Sequence, residues 1–145
     1  MAISSAICNS FKQEILVGTH NLTASSGDTF KIALFTSSAS LGAGTTAYST
    51  SNEITNTSGS AYSAGGATLT SVTPVLDSST AVCDFADVSF TSASFTANGC
   101  LIYNSSQSDK AVAVIAFGGD KTVSSGTFTI QFPTADASNA IIRIA

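Results

Sequence analysis

Few side chains in this sequence could do proton or metal chemistry. His20 is the only histidine, and so the only imidazole general base. A Ser-His-Asp site needs a third group to orient the ring, and the Gly-x-Ser-x-Gly nucleophile elbow is absent. His20 lies just beyond a helix-stop signal, which makes a capping or surface role the better account. Asp84 and Asp87 flank Phe85-Ala86 and could offer oxygens to calcium, or form a glycosidase pair drawn from Asp84, Asp87 and Glu53. The remaining calcium-ligand pattern is missing, and Asp at strand ends commonly bonds its own backbone. Carbohydrate sites lean on exposed aromatic platforms, and the chain has no Trp. Gly118-Gly119-Asp120-Lys121-Thr122 has the composition of a phosphate loop without the Walker spacing or a following helix, so a tight turn is predicted there. Cys8, Cys83 and Cys100 contain no Cys-x-x-Cys pair for zinc. Their odd number argues against a disulfide scaffold, and they are expected to be reduced, buried thiols. No catalytic residue, metal or cofactor is expected.

The bulk composition narrows the function classes. Charged residues make up 10% of the chain and hydrophobic residues 43%. The usual charged share is about 25%, so the surface must be polar mainly through Ser and Thr hydroxyls. A disordered chain would need low hydrophobicity, whereas mean hydropathy here is +0.33. The net charge is −4 and the four lysines, Lys12, Lys31, Lys110 and Lys121, are scattered. Neutralising phosphates requires clustered cations, so no nucleic-acid partner is expected. No run approaches the roughly 18–20 apolar residues that would cross a bilayer, and the N-terminal stretch lacks a positively charged signal-peptide start. A soluble chain made in a reducing compartment, with no membrane partner, is expected.

The elements that must position these groups are mostly strands. Residues 1–7 read as an arm or short strand. Ser10 and Gln13 have capping-box spacing, Phe11 and Ile15 share a face, and Gly18 is a natural stop, which predicts a two-turn helix over residues 11–17. Such a helix is too short to stand alone. Residues 29–36 alternate, with Phe30, Ile32 and Leu34 toward the core. Residues 37–63 are predicted to form a long loop with a short strand near Ile54, and loops of that length are commonly functional. Residues 67–76 read as one strand, with Pro74 pointing to an edge or bulge. They form a hairpin with residues 80–85. Asn98-Gly99 is a turn signal. Residues 100–103 and 111–117 read as a second hairpin, with a turn after it at Gly118–Lys121. Residues 127–132 alternate up to Pro133, and residues 141–144 make a last strand. About eight to ten strands at this spacing predict one all-β domain over residues 1–145. The expected architecture is an antiparallel β-sandwich or jelly-roll-like barrel with one short N-terminal helix.

Several phrases, taken in order, carry a family resemblance. They are Phe11-Lys12-Gln13-Glu14-Ile15-Leu16, Asp28-Thr29-Phe30-Lys31-Ile32-Ala33-Leu34-Phe35-Thr36, Tyr48-Ser49-Thr50-Ser51-Asn52-Glu53, Tyr62-Ser63-Ala64-Gly65-Gly66, Phe117-Gly118-Gly119-Asp120-Lys121 and Gly126-Thr127-Phe128-Thr129-Ile130. Together they resemble small virion proteins of tailed bacteriophages, above all capsid decoration or cement proteins. The resemblance implies a β-rich fold, homodimers or homotrimers, binding to the major capsid protein, and residence on the capsid surface after assembly in the host cytoplasm. It brings no catalytic residues. The arm and the long loop are expected to contact the partner, through Ile3, Ile7, Tyr48, Ile54 and Tyr62. Other expectations compatible with the residues are a neck, tail or fibre component, a carbohydrate-binding adhesion module, and a hydrolase using Asp84 or Asp87.

Overall fold

Apolar residues alternating along short segments leave one way to bury them, which is to stack two sheets. The computed structural model describes residues 2–55 and 61–145 and has this arrangement. In chain order the elements are β1 (Ala6–Ile7), α1 (Asn9–Leu16), β2 (Phe30–Phe35), β3 (Ala67–Thr68), β4 (Ser71–Asp77), β5 (Thr80–Phe85), β6 (Val88–Asn104), a 3-10 turn at Ser105–Gln107, β7 (Lys110–Ile130) and β8 (Ile142–Ile144). One sheet has the order β1-β7-β6-β2-β3 and the other β4-β5-β8. Every pairing between these named strands is antiparallel. The fold is an all-β sandwich with one short helix near its start. Met1 of the predicted arm and residues 56–60 of the predicted loop lie outside the described residues.

The core joins the two sheets through aromatic contacts. Phe30 of β2 meets Phe85 of β5 at 5.7 Å between ring centroids, and Phe85 meets Phe132 at 6.3 Å. Tyr62, Phe90, Phe95 and Phe128 form a second group, with Phe95 and Phe128 5.0 Å apart. Ring pairs at these separations add stabilisation beyond their buried area. The three cysteines are free and buried. Burial pushes the Cys8 thiol up to about 11 and those of Cys83 and Cys100 up to about 12. Little thiolate forms at neutral pH, so these sulfurs are unreactive.

The helix ends as expected and begins differently. Gly18 has φ +77°, its N–H donates to Ile15 O, and the Thr19 N–H donates to Glu14 O. This is the paired closure that a left-handed residue after a helix allows. The N-cap is Cys8, with no side-chain cap bond. Ser10 therefore lies inside the helix rather than at its cap, and its buried hydroxyl has no hydrogen-bond partner among the described residues.

Four further strand expectations change. Residues 67–76 do not form one strand. The chain leaves β3, crosses at Leu69-Thr70 and enters β4 in the other sheet. The crossing residues bond one sheet each: Leu69 N–H donates to Phe30 O, and Thr70 O accepts from Ala86 N–H. Pro74 sits where β4 slips register, on an edge strand, because proline cannot donate to a ladder. Asn98-Gly99 is not a turn, and neither is Gly118–Lys121. Both lie inside the long β6–β7 ribbon, where Ala97 pairs with Lys121 and Gly99 with Ala116, so β7 carries extra residues opposite Asn98. Gly118 and Gly119 take positive φ there, and Asn98 Nδ2 donates to Asp120 Oδ1 across the bulge at 2.9 Å. Turn-forming residues have thus made a bulge that bends the ribbon. The hairpin turn itself is at residues 105–109, as expected.

Finally, β2 is buried on both faces. Ala33 and Phe35 are as inaccessible as Phe30, Ile32 and Leu34. The second face, which Lys31 shares with its cross-strand partner Tyr103, is covered by the segment after β2. Tyr48 stacks on Tyr103 at 4.6 Å, and Tyr103 OH donates to Gly65 O at 2.6 Å.

Candidate functional site

The strongest chemical constellation of the sequence, around His20, is assembled from four distant segments. His20 ends the turn after α1, Glu14 lies on α1, Asp28 precedes β2, and Asn104 closes β6. Asn104 Oδ1 accepts from Ser106 N–H at 3.0 Å, which orients its amide. Its Nδ2 then donates to His20 Nδ1 at 2.9 Å and to Asp28 Oδ2 at 2.8 Å. A ring whose Nδ1 accepts carries its proton on Nε2. That N–H meets Glu14 Oε1 at 3.2 Å, while Lys110 holds Glu14 Oε2 at 3.0 Å. Both ring nitrogens are occupied, and the side chain is 0% exposed. The relay pins α1 and the turn after it to the end of the sheet. Neither nitrogen is left to act on a substrate. Asn104, part of a glycosylation-like triplet with Ser105 and Ser106, is fully buried as well.

The carboxylates of this relay make it acid-sensitive. Burial pushes Glu14 up, but hydrogen bonds from Lys110 and His20 outweigh it and hold the carboxyl below its ordinary range. Asp28 behaves alike: burial raises it, and donors from Asn104, the Asn21 N–H and Gln107 bring it below its usual value. A carboxylate lowered by folding gives stability that is complete above its unfolded value, about 4, and is lost as pH falls through the folded value. Asp28→Asn is expected to be less stable at neutral pH and to show a shallower loss of stability between about pH 5 and 2. Denaturant titrations across that range measure it. An acid limb as steep as that of the native protein would remove Asp28 from the account.

A second cluster lies on the covered face of β2. Glu53 Oε1 accepts from Tyr62 OH at 2.6 Å and from Gly65 N–H at 2.8 Å, and Glu53 Oε2 accepts from Tyr48 OH at 2.6 Å. Tyr62 OH in turn accepts from Leu34 N–H at 2.8 Å. The segment after β2 is thereby tied to the sheet by one carboxylate.

The other sequence candidates are not brought into a site. Asp84 Oδ1 accepts from the Phe85 N–H beside it, and Asp87 Oδ1 accepts from Phe132 N–H. Glu53 belongs to the tyrosine cluster instead. Among the described residues no group of three His, Cys, Asp or Glu side chains is placed to hold a metal ion. Gly118–Thr122 is strand, with Thr122 Oγ1 bonded to Thr96 Oγ1 at 2.8 Å.

Of the five residues expected to contact a partner, Ile54 and Tyr62 are only 4% and 6% exposed. Ile54 N–H donates to Leu34 O, extending the β2 ladder. Both side chains are turned to the interior rather than outward, because the loop carrying them packs onto β2. Tyr48 is half-buried on Tyr103. Ile3 and Ile7 are half-buried against the core. The arm is docked, with Ser4 N–H on Leu41 O and β1 paired to β7 at Val114 and Ala113.

One apolar concavity was not foreseen. A groove of about 790 Å³ runs between the β1 edge and the bent end of the ribbon, lined by Ile7, Ile115, Phe117, Phe128, Phe132 and Ile141. Lys121 is the one charged residue in its lining. Only Ile7 had been singled out from sequence. The continuous apolar run at residues 111–117 and the alternation at residues 127–132 were legible, but the bulge between them in β7 was not. Separately, Leu76 of β4 and Ile144 of β8 both pair with Ala81 of β5, and they are 72% and 58% exposed. Leu16 and Val17 at the end of α1 are also exposed. Compared with protein-family models, curated proteins and solved structures, the chain matches none of them.

Proposed function

We propose that this chain is a non-enzymatic structural protein of a tailed-phage virion, a cement that binds the outside of the major capsid shell as a homodimer or homotrimer. The observation that carries the reading is the large apolar groove on a surface with so few charges. Its named apolar lining, Phe132 aside, is half-buried rather than hidden, and contiguous apolar surface open to solvent favours association. The exposed Leu76–Ile144 row supplies a second one. The ionisable side chains support the same reading, since His20, Glu14, Asp28 and Glu53 are engaged with one another or with backbone and serve to clamp segments together. A protein of this construction acts through contacts. It stabilises the assembled shell by mass action, because it binds that state and not the dispersed subunits.

Particle stoichiometry is the test. Hundreds of copies per purified particle, and a higher melting temperature when the protein is added to shells lacking it, are the expected results. A dozen copies or fewer would move it to the neck, tail or fibre, and absence from particles would end the virion reading.

A further inference from the structure

We propose that the His20 relay is a proton-operated latch, closed while the ring carries one proton and opened by a second, which releases α1 and the turn after it from the end of the sheet. The device belongs to the chain itself and does not depend on the capsid reading. It has a moving side and a fixed side. Glu14 and His20 lie on the moving side, and Asp28, Asn104 and Lys110 on the sheet end. Two links cross between them, Asn104 Nδ2 to His20 Nδ1 at 2.9 Å and Lys110 Nζ to Glu14 Oε2 at 3.0 Å. The chain is anchored on either side of the moving span. Before it, Cys8 N–H donates to Val112 O and Asn9 N–H to Ala43 O; after it, Asn21 and Asp28 bond each other. Phe11 is the one buried side chain of α1, with Ile15 partly buried against the core. Few other contacts therefore hold a helix too short to persist undocked.

A second proton has no place in the closed arrangement. It would sit on Nδ1 and point at the Asn104 Nδ2 donor. Turning the amide over would take Oδ1 from Ser106 N–H and set it against Asp28 Oδ2, stranding one donor and opposing two acceptors. The charged ring instead keeps Glu14, which moves with it, and a Glu14 already paired to an imidazolium holds Lys110 less strongly. One proton thus breaks the first link and weakens the second. The charged groups around the ring are Glu14 of α1, Asp28 before β2 and, behind Glu14, Lys110 of β7. Phe11 of α1 and Phe30 of β2 flank it. Cys83 of β5 lines the same cavity and keeps its proton, because burial pushes that thiol up to about 12.

An opening that takes up one proton grows with acidity below the ordinary imidazole value of about 6.5. Linkage gives about a tenfold rise in the open fraction between about pH 7.5 and about pH 5.5. Glu14 and Asp28 stay ionised over that range, since both carboxyls are held below their ordinary values. Amide hydrogen exchange of the full chain, corrected for the intrinsic effect of pH, is expected to lose about tenfold protection at residues 13–17 while residues 100–103 of β6 keep theirs. His20 is the only histidine, so NMR reads its ring nitrogens without ambiguity. Nε2 is expected to carry the proton at neutral pH, and the second proton to arrive on Nδ1 over the same range as the loss of protection. His20→Gln takes no second proton, and its α1 protection is expected to stay constant across the range. A ring that stays singly protonated throughout, a second proton taken up with α1 still protected, or an equal loss of protection in His20→Gln would each overturn the proposal. If His20→Gln leaves α1 unprotected at both pH values, the native chain decides alone, by whether ring protonation and exchange move together.

Discussion

Gly66→Ala is expected to be the most damaging single-methyl change in the molecule, removing most or all of the folded population at ordinary temperature. A Cβ at Gly66 would lie 1.8 Å from Ile32 O and 2.8 Å from Ala33 Cα. Both are backbone atoms of β2, buried on each side, so neither can yield without opening the sheet. Gly66 also has φ +77°, and a non-glycine residue held in such a region costs on the order of 1–3 kcal/mol by itself. Adding the clash places the variant among changes above about 4 kcal/mol, against a total stability of roughly 5–15 kcal/mol for a domain. A survivor would melt roughly 10 °C lower or more. The neighbouring Gly65→Ala is the control. Its φ is +93°, but its Cβ would meet only Lys31 Nζ and Tyr103 Oη, at 3.3 and 3.4 Å, so it bears the conformational cost without the backbone clash. Thermal melts of the two variants should differ widely; equal losses would show that the approach of Gly66 to β2 is not what its glycine is for.

The second large effect is expected at Glu53. Glu53→Ala leaves the hydroxyls of Tyr48 and Tyr62 and the Gly65 N–H without their acceptor. Hydrogen bonds to a charged group contribute about 1.5–3 kcal/mol each, and a stranded buried donor has a further cost. Water can reach part of the cluster, so a net loss of about 3 kcal/mol is expected rather than the full sum. Alkaline titration gives an independent readout. Burial, with Glu53 adding to it, pushes the Tyr48 and Tyr62 phenols well above their ordinary range, and burial pushes Tyr103 up to about 12. A phenol raised by folding keeps its proton longer in the folded chain than in the unfolded one. Its contribution is therefore intact below the unfolded value, about 10, and is lost as pH rises through the folded one. The native protein should thus ionise its tyrosines only as it unfolds in alkali. In Glu53→Ala both the stability and the delay in tyrosine absorbance should fall. Unchanged titration curves would mean that the carboxylate does not hold these phenols.

Glu53 and Gly66 also show where sequence reading ran out. The long segment after β2 was legible as a loop and as a special one, but its role was read outward, toward a partner. Tyr48, Glu53, Tyr62 and Gly65 give no local signal that they converge, because their meeting depends on the loop folding back over β2. The same holds for His20 and Asn104, which are 84 residues apart. Local chemistry, by contrast, was readable. The helix stop at Gly18, the edge position of Pro74, the β4–β5 hairpin and the strand before Pro133 each follow from one or two residues whose backbone geometry allows little else.

From its residue order alone this protein is committed to β structure, to two stacked sheets with a short docked helix, and to buried thiols, because alternation, turn residues and low charge act over a few neighbours at a time. Tertiary structure alone decided that Asn98-Gly99 and Gly118-Gly119 would form a bulge instead of turns, that β2 would be covered on both faces, and that an apolar groove would open beside β1. Each of those outcomes depends on which distant segment arrives to supply hydrogen bonds or cover, and that is a property of the whole packing rather than of any window of sequence.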